Sequence, residues 1–139
     1  MRKRAVIDSG PLVAYFDQDD ASHEKSFKFM TEYEGELFAT LAVLTEVTHF
    51  LKFNIQKQID FLYWVKKGAV NLVDIENRDL ERACYLTRKY SDLPMDFADC
   101  TLVIVAEKFN IKSVITLDSD FYVYRTLSSN YLESLMDAE

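Results

Sequence analysis

Glycine, proline and cysteine are scarce in this chain, and no apolar run is long. The 139 residues include three glycines, two prolines and two cysteines, which is too few turn formers for a turn-rich all-β protein. Cys84 and Cys100 have no Cys or His neighbour at a metal-ligand spacing. We therefore expect two buried free thiols and no zinc site.

Signals for membrane insertion and export are missing as well. The longest apolar run lies near residues 102–106, far short of the roughly 20 residues that span a bilayer. The basic residues 2–4 are followed by an apolar stretch that already ends at Asp8, too short for the core of a signal peptide. These absences predict a cytoplasmic protein without a membrane partner.

Positive charge is in deficit. The 16 Lys and Arg residues face 23 Asp and Glu residues, giving a formal net charge of −7, whereas a general nucleic-acid binder is usually basic. The objection weakens if several acids share a site where metal offsets their charge, so charge alone leaves the partner open. The 49% hydrophobic content, with ten Phe and eight Tyr, excludes a disordered chain. Length and composition predict one domain, residues 1–139.

Short apolar segments alternate with helical patterns along the chain. Strands are predicted over residues 4–8, 36–39, 69–75 and 113–117, and helices from residues 9–11 onward and over 20–33, 40–53, 55–67, 78–90 and 94–109. Pro11 suits the first helical position, and Asn54 can cap the helix over 55–67. The tail suggests a short edge strand and then a helix over residues 131–136. This order predicts an α/β fold with a central parallel sheet of four to five strands and helices on both faces.

Four acids stand in or just after apolar segments, where an unpaired carboxylate is costly. Asp8 and Asp118 each follow a predicted strand, so a parallel sheet would bring them to the same edge although 110 positions separate them. Glu46 lies in the middle of a helix with no Lys or Arg within four positions. Asp99 lies one turn inside the helix that we expect to open at Pro94.

Several of these acids also have a structural explanation when each is taken singly, which for Glu46 would be an exposed stripe of its helix. Asp8 could start a turn, Asp96 could satisfy free N–H groups at the helix start, and Asp120 could cap the turn that follows it. Asp96 and Asp99 share a helix face, but capping does not explain Asp99. Together the acids favour Mg²⁺ or Mn²⁺, which prefer hard carboxylate oxygens, in the two-metal arrangement used for phosphodiester chemistry.

Four segments resemble the PIN-domain nucleases, in particular the VapC-type toxins of bacterial and archaeal toxin–antitoxin pairs. They are residues 6–14 (VIDSGPLVA), 44–47 (LTEV), 93–103 (LPMDFADCTLV) and 115–121 (ITLDSDF). The resemblance implies a single PIN-like domain with a catalytic, metal-binding quartet, Mg²⁺ or Mn²⁺ as cofactor, and two further acidic contributors. By residue, the quartet is Asp8, Glu46, Asp99 and Asp118, and the contributors are Asp96 and Asp120.

The resemblance also implies other parts of the site. Ser9 and Thr116 match positions where the family often carries a hydroxyl beside the metal. Cys100 replaces the commoner Ala after the third acid, a departure that should leave the chemistry intact. His49 lies one helical turn from Glu46 and either assists the site or packs structurally.

The implied reaction is hydrolysis of an RNA phosphodiester that leaves 5′-phosphate and 3′-hydroxyl ends. The implied partners are an RNA substrate, a second copy of the chain in a homodimer, and a cognate antitoxin that occludes the acids. Candidate contacts for a phosphate backbone or an acidic partner are Arg78, Arg82, Lys89 and Arg125. A solvated helix face is the alternative explanation of these cations.

Aromatic residues crowd the stretch from 50 to 64. We expect most of them in the core, namely Phe50, Phe53, Phe61, Tyr63 and Trp64, together with the inward-facing Ile55, Ile59, Leu62 and Val65. The part that alternates with Lys52 and Lys57 could instead build a groove for a subunit or a partner.

Two other functions are compatible with these patterns. A phosphatase or phosphotransfer domain also places Asp after its first strand, but it expects a second Asp where Gly10 stands. It further expects a Lys near a later strand end, where Thr116 and Leu117 stand. A non-catalytic PIN-like module in an RNA-processing assembly is the other alternative, and the complete quartet argues against it.

Overall fold

The computed structural model describes residues 2–127 and 130–136. In that part the strands are β1 (Lys3–Ile7), β2 (Gly35–Ala39), β3 (Asn71–Leu72), β4 (Ser113–Ile115) and β5 (Glu133–Ser134). The helices are α1 (Ser9–Phe16), α2 (His23–Glu32), α3 (Leu41–Phe50), α4 (Ile55–Lys66), α5 (Leu80–Lys89) and α6 (Phe97–Phe109). Two 3₁₀ turns lie at Asn77–Asp79 and Ser119–Tyr122.

The strands form one parallel sheet in the order β3-β2-β1-β4-β5. Central β1 pairs with both β2 and β4, and Ile7 lies opposite Ile115. Ala5, Val6 and Ile7 are fully buried, as expected for a strand covered on both faces. Because the strand order runs one way from β1 to β3 and the other way to β5, right-handed crossovers place helices on both faces. The predicted α/β class and parallel sheet are confirmed.

Helix α6 is the most deeply buried helix. Every residue from 98 to 106 is buried, and the helix packs against β1, β2, α3 and α5. Thr101 on this helix makes a buried 2.8 Å hydroxyl contact with Thr40, which satisfies both side chains. On α1, contacts with α2, α3 and α4 build a second helical layer. An acidic side chain on the buried part of α6, such as that of Asp99, is therefore surrounded by core residues on nearly every side.

Helix boundaries differ from the predicted ones in informative places. Helix α6 begins at Phe97 with Asp96 as its N-cap, so the predicted opening at Pro94 is wrong. Pro94 instead lies in the turn that leads to the cap. Pro11 is the third residue of α1 and not the first, because Asp8 is already the N-cap. Asn54 does cap α4 as predicted, accepting from the Lys57 N–H.

The outer strands are shorter than their sequence patterns. β3 is only Asn71–Leu72, although the apolar pattern extends over residues 69–75. The tail does form an edge strand, β5 (Glu133–Ser134), but it lies within residues 131–136, where a helix was predicted, so the predicted helix is wrong. Leu135 N–H instead bonds to the Val114 carbonyl, which continues the strand pairing. Residues 1, 128–129 and 137–139 of the predicted domain lie outside the described part.

Several residues expected inside lie at the surface. Cys84 is exposed, whereas Cys100 is buried as predicted. On and beside α4, large apolar side chains expected in the core are exposed by 40% or more of their surface. These are Phe50, Phe53, Ile55, Ile59, Leu62 and Tyr63. Only one apolar stripe of α4, with Phe61, Trp64 and Val65, reaches the core. The other large apolar side chains on and beside this helix stay exposed.

In the part of the chain that the structure describes, no helix has the length and apolar character needed to cross a bilayer.

Candidate active site

The acids gather where β1 and β4 end. Asp8 directly follows β1, and its N–H donates to the Ile115 carbonyl across the strand pair at 2.9 Å. Asp118 follows β4 three residues after Ile115. Since the two strands are parallel neighbours, both carboxylates emerge at one edge of the sheet. The expected meeting of Asp8 and Asp118 is thus a consequence of the sheet order.

Asp8 is buried and caps α1. Its Oδ1 accepts from the Ser9 N–H at 2.8 Å, and its Oδ2 accepts from the Thr116 hydroxyl at 3.0 Å. The Thr116 hydroxyl in turn accepts from the Asp118 N–H at 2.9 Å. The turn explanation of Asp8 therefore holds, but only for one of its two oxygens. The other oxygen is oriented by a residue 108 positions away.

Glu46 enters the cluster from α3. Its side chain is half-buried, and Oε1 accepts from the Ser9 hydroxyl at 3.0 Å. Ser9 therefore contacts two of the acids, Asp8 through its N–H and Glu46 through its hydroxyl. Glu46 does not point away into open solvent, which a surface explanation would require.

Asp96 and Asp99 come from the start of α6. Asp96 is exposed and is the N-cap, with Oδ1 accepting from the Asp99 N–H at 2.8 Å. Asp96 therefore does cap the helix, but it is the N-cap residue itself and not a residue of the first helical turn. Asp99 is buried, and its Oδ2 accepts from the Tyr124 hydroxyl at 2.9 Å. Capping explains nothing about the Asp99 side chain.

Asp118 and Asp120 follow β4 in the 3₁₀ turn. Asp118 is the N-cap, and its Oδ1 accepts from the Asp120 N–H at 2.9 Å. The prediction that Asp120 caps this turn is wrong, because the capping side chain is that of Asp118. Both side chains remain partly exposed, at the open side of the cluster.

Electrostatic coupling joins all six acids. Burial raises the pKa of Asp8 to about 6, with smaller increases from the charges of Glu46 and Asp118. Burial also raises the pKa of Asp99 to about 8, and the charges of Asp8, Asp96 and Asp118 add to that rise. The pKa of Glu46 is raised by burial and by Asp96. Like charges thus face one another in a partly dry site.

Asp120 belongs to the same electrostatic cluster. Its pKa is raised by slight burial and by the charges of Asp118 and Asp96. The ion pairs that join described residues lie elsewhere, at Arg78–Glu76, Arg82–Glu107 and Lys108–Asp79. The fold therefore supplies these acids with hydroxyl and amide donors and not with a cationic side chain.

The chemistry of this donor set fits a hard divalent cation. Carboxylate oxygens without an internal counter-charge are the ligands that Mg²⁺ and Mn²⁺ prefer. Across residues 2–127 and 130–136, no three His, Cys, Asp or Glu side chains already stand in an arrangement that could hold an ion. Binding would therefore require modest reorientation of the acids, most easily of the partly exposed Glu46 and Asp118.

Sequence reasoning missed Tyr124. Its ring is buried and its hydroxyl donates to Asp99, while burial and the Asp99 charge raise the pKa of the phenol above its ordinary value. Nothing in the local sequence distinguishes it from Tyr122, which is exposed. The contact depends on how the 3₁₀ turn packs against α6, which no local pattern records.

The four candidate cations have different surroundings. Arg78 lies in the 3₁₀ turn before α5, whereas Arg82 and Lys89 lie on α5 itself. Arg78 pairs with Glu76 in an exposed contact. Arg82 is partly buried and bonds to Glu107 through two nitrogens, at 3.1 and 2.6 Å. Its charge is already engaged inside the fold.

Lys89 and Arg125 each lie over an aromatic ring. Lys89 Nζ is 5.4 Å from the centre of the Tyr90 ring, which packs against Tyr124. Arg125 donates to three backbone carbonyls and lies 4.5 Å from the centre of the Tyr131 ring. Contact of either side chain with a substrate stays a prediction.

Comparisons with known proteins agree with this fold. A family model described as the PIN domain matches residues 5–127. Ribonuclease VapC26 of Mycobacterium tuberculosis is 24% identical over 115 residues, covering 81% of this chain and 85% of that protein. Because the family model matches most of the chain, the chain belongs to the PIN-domain family.

Solved structures show the same architecture. The sarcin-ricin loop cleaving toxin VapC20 of Mycobacterium tuberculosis matches with a TM-score of 0.79 at 17% identity, over 93% of this chain and 97% of that chain. A toxin–antitoxin complex from Klebsiella pneumoniae contains a chain that matches with a TM-score of 0.64 at 19% identity, over 84% and 89% of the two chains. VapBC2 from Rickettsia felis, bound to a DNA fragment from its promoter, gives 0.63 at 11% identity, over 94% and 98%.

Proposed function

We propose that this protein is a metal-dependent endoribonuclease and the toxin of a toxin–antitoxin pair. The observation that carries the proposal is the cluster of coupled acids at the carboxyl edge of the sheet, with two members buried and, among the residues that the structure describes, no cationic side chain paired with them. Membership of the PIN-domain family and similarity to a ribonuclease support the same chemistry.

Asp8, Glu46, Asp99 and Asp118 would hold Mg²⁺ or Mn²⁺, with Asp96 and Asp120 as outer contributors. When bound, the cation lowers the pKa of water and offsets negative charge on the phosphate. Burial of Asp8 and Asp99 lowers the local dielectric and strengthens both effects. Thr116 and Ser9 hold Asp8 and Glu46 in place through hydroxyl contacts.

The reaction is hydrolysis of one P–O bond. The oxygen of water attacks phosphorus, the P–O3′ bond breaks, and the departing 3′ oxygen takes a proton. The fragments carry 5′-phosphate and 3′-hydroxyl ends. Asp96 and Asp120, whose side chains stay exposed or partly exposed, would accept the proton released from water.

The proposal is tested with a labelled RNA incubated with Mg²⁺, Mn²⁺ or EDTA. Asp8→Asn is the matched variant because Asn keeps a side-chain oxygen for capping α1, and Asp92→Asn, in the exposed turn before α6, is the control for lost charge. We expect metal-dependent cleavage in the wild type and Asp92→Asn and none in Asp8→Asn. Cleavage that survives both EDTA and Asp8→Asn would contradict the mechanism, and phosphate release from a monoester without RNA cleavage would favour a phosphatase.

We also propose a cytoplasmic protein that forms a homodimer and binds a cognate antitoxin. Around the α3–α4 junction, the large apolar side chains of Phe50, Phe53 and Ile55 are exposed, and grouped apolar exposure of this kind is typical of an interaction surface. Lys52 and Lys57 flank them and suit an acidic partner segment. Copurification from the native host, followed by light scattering with and without the bound protein, tests both assemblies.

A further inference from the structure

Three of the acids are each held by one hydroxyl from another element. Thr116 donates to Asp8, Ser9 donates to Glu46, and a third hydroxyl donates to Asp99. The first two were expected from the sequence. The third belongs to Tyr124 at the end of the 3₁₀ turn, 25 positions from Asp99. The repetition indicates a common task for the three hydroxyls.

The Tyr124 hydroxyl is fixed in place by its surroundings. Its ring is 2% exposed and packs edge to face on Tyr90 and Phe121, both with centroids 5.1 Å away. The Tyr90 hydroxyl makes a separate contact, accepting from the Arg125 N–H at 2.8 Å. A phenol in such a cage has little rotational freedom, so it imposes its direction on the carboxylate that it meets.

Asp99 is held at both ends as a result. Its N–H donates to the Asp96 cap, and its Oδ2 accepts from Tyr124. Fixing one oxygen of a carboxylate also fixes its plane and the direction of the other oxygen. Hydrogen bonds of this kind orient metal ligands in proteins, and their loss typically weakens metal affinity or activity roughly 10- to 100-fold.

We infer that Tyr124 is a positioning residue of the nuclease site, whose hydroxyl holds Asp99 in the orientation in which it contributes to the divalent-cation site. The inference rests on the proposed function, because it requires that Asp99 bind a cation. Tyr124 itself does not touch substrate or metal; it acts through Asp99.

The test is Mn²⁺ affinity of the purified full chain, measured by electron paramagnetic resonance of free Mn²⁺ without RNA. Tyr124→Phe removes the hydroxyl and keeps the ring contacts with Tyr90 and Phe121. The matched control is Tyr90→Phe, which removes a neighbouring hydroxyl from the same aromatic cluster without touching Asp99. Thermal unfolding of both variants reports what each hydroxyl contributes to stability.

We expect Tyr124→Phe to weaken Mn²⁺ binding by roughly tenfold or more and to change the spectrum of the bound ion. Tyr90→Phe should lose comparable stability but keep wild-type Mn²⁺ affinity. If both variants weaken binding equally, or if Tyr124→Phe leaves affinity unchanged or tightens it, the positioning role is wrong. If the wild type binds no Mn²⁺, the proposed function fails first, and the inference fails with it.

Discussion

Two groups of carboxylates in this protein have opposite surroundings. Between α5 and α6, Glu107 and Asp79 meet Arg82 and Lys108 directly, at 2.6 Å in both pairs. Burial by itself would raise the pKa of Asp79, but the hydrogen bonds from Lys108 and the Glu76 N–H, together with the charges of Lys108 and Arg78, hold it below its ordinary value.

At the carboxyl edge of the sheet, the acids instead meet hydroxyls, backbone amides and one another. There burial raises the pKa values of Asp8 and Asp99 to about 6 and about 8. Where the fold supplies its own cation, the carboxylate joins helices together. Where it supplies only neutral donors, negative charge is left for a cation from outside.

The largest expected effect is on catalysis. Asp99→Asn should slow RNA cleavage on the order of a thousandfold, which corresponds to a barrier several kcal/mol higher. The reason is that it removes a buried charge from the proposed cation site. Single-turnover cleavage in Mn²⁺ measures the loss, and Asp92→Asn serves as the control for net charge. A fall of less than about tenfold would show that Asp99 is a structural acid like Glu107.

The internal ion pair should matter for stability instead. Glu107→Ala leaves the partly buried Arg82 without its partner, so we expect about 3 kcal/mol less free energy of unfolding. Urea unfolding monitored by circular dichroism measures it. Mn²⁺ affinity of the folded variant should stay at the wild-type value, and a matching loss of affinity would mean that the two acidic regions are not separate.

Metal should stabilise only through the sheet-edge acids. A cation at a hundred times its Kd adds about 2.7 kcal/mol to the free energy of unfolding, which appears as a rise in Tm on adding Mn²⁺ and its reversal by EDTA. Glu107→Ala should show the full rise and Asp99→Asn a much smaller one. An equal rise in both variants would place the ion elsewhere.

The pH dependence of the metal-free protein follows from the raised pKa values. Between about pH 4 and pH 8 the folded state holds more protons on Asp8 and Asp99 than the unfolded chain does, so the free energy of unfolding falls as pH rises. Thermal unfolding in EDTA from pH 5 to 8.5 should show this fall, on the order of 1–3 kcal/mol.

Two controls locate the source of that fall. Asp99→Asn should flatten its upper part, and identical slopes in the wild type and this variant would remove Asp99 as the cause. Asp79 has the opposite sign, since its lowered pKa contributes stability that is lost only as pH drops below about 4. Its titration therefore does not overlap the measured range.

The smallest effect is expected at the outer ion pair. Lys108→Ala removes the partner of Asp79 near the surface, where such pairs contribute about 1 kcal/mol or less. Urea unfolding in low and high salt should show a small loss that salt reduces. A loss of stability as large as that of Glu107→Ala would mean that the Lys108–Asp79 pair contributes as much to stability as the Arg82–Glu107 pair.

Local patterns were enough for much of this molecule. Apolar strands that alternate with amphipathic helices predicted the parallel α/β sheet, and Asn54 predicted its own cap. The segments around Asp8, Glu46, Asp99 and Asp118 predicted the PIN-domain family, which the matched family model confirms. Local patterns failed where an apolar residue could be either buried in the core or exposed at the surface. Ile55, Ile59 and Leu62 have core-like spacing, yet only packing decides which stripe of α4 is covered.

The sequence by itself determined the order of strands and helices and the acids that follow the strands, because both depend on residues close together in the chain. Only the tertiary structure decided which distant groups hold those acids. Tyr124 and Asp99, like Arg82 and Glu107, are 25 positions apart, and no local preference relates either pair. Their contacts arise from helix packing on the sheet, so the same residue type became a structural partner in one region and part of a charged site in the other.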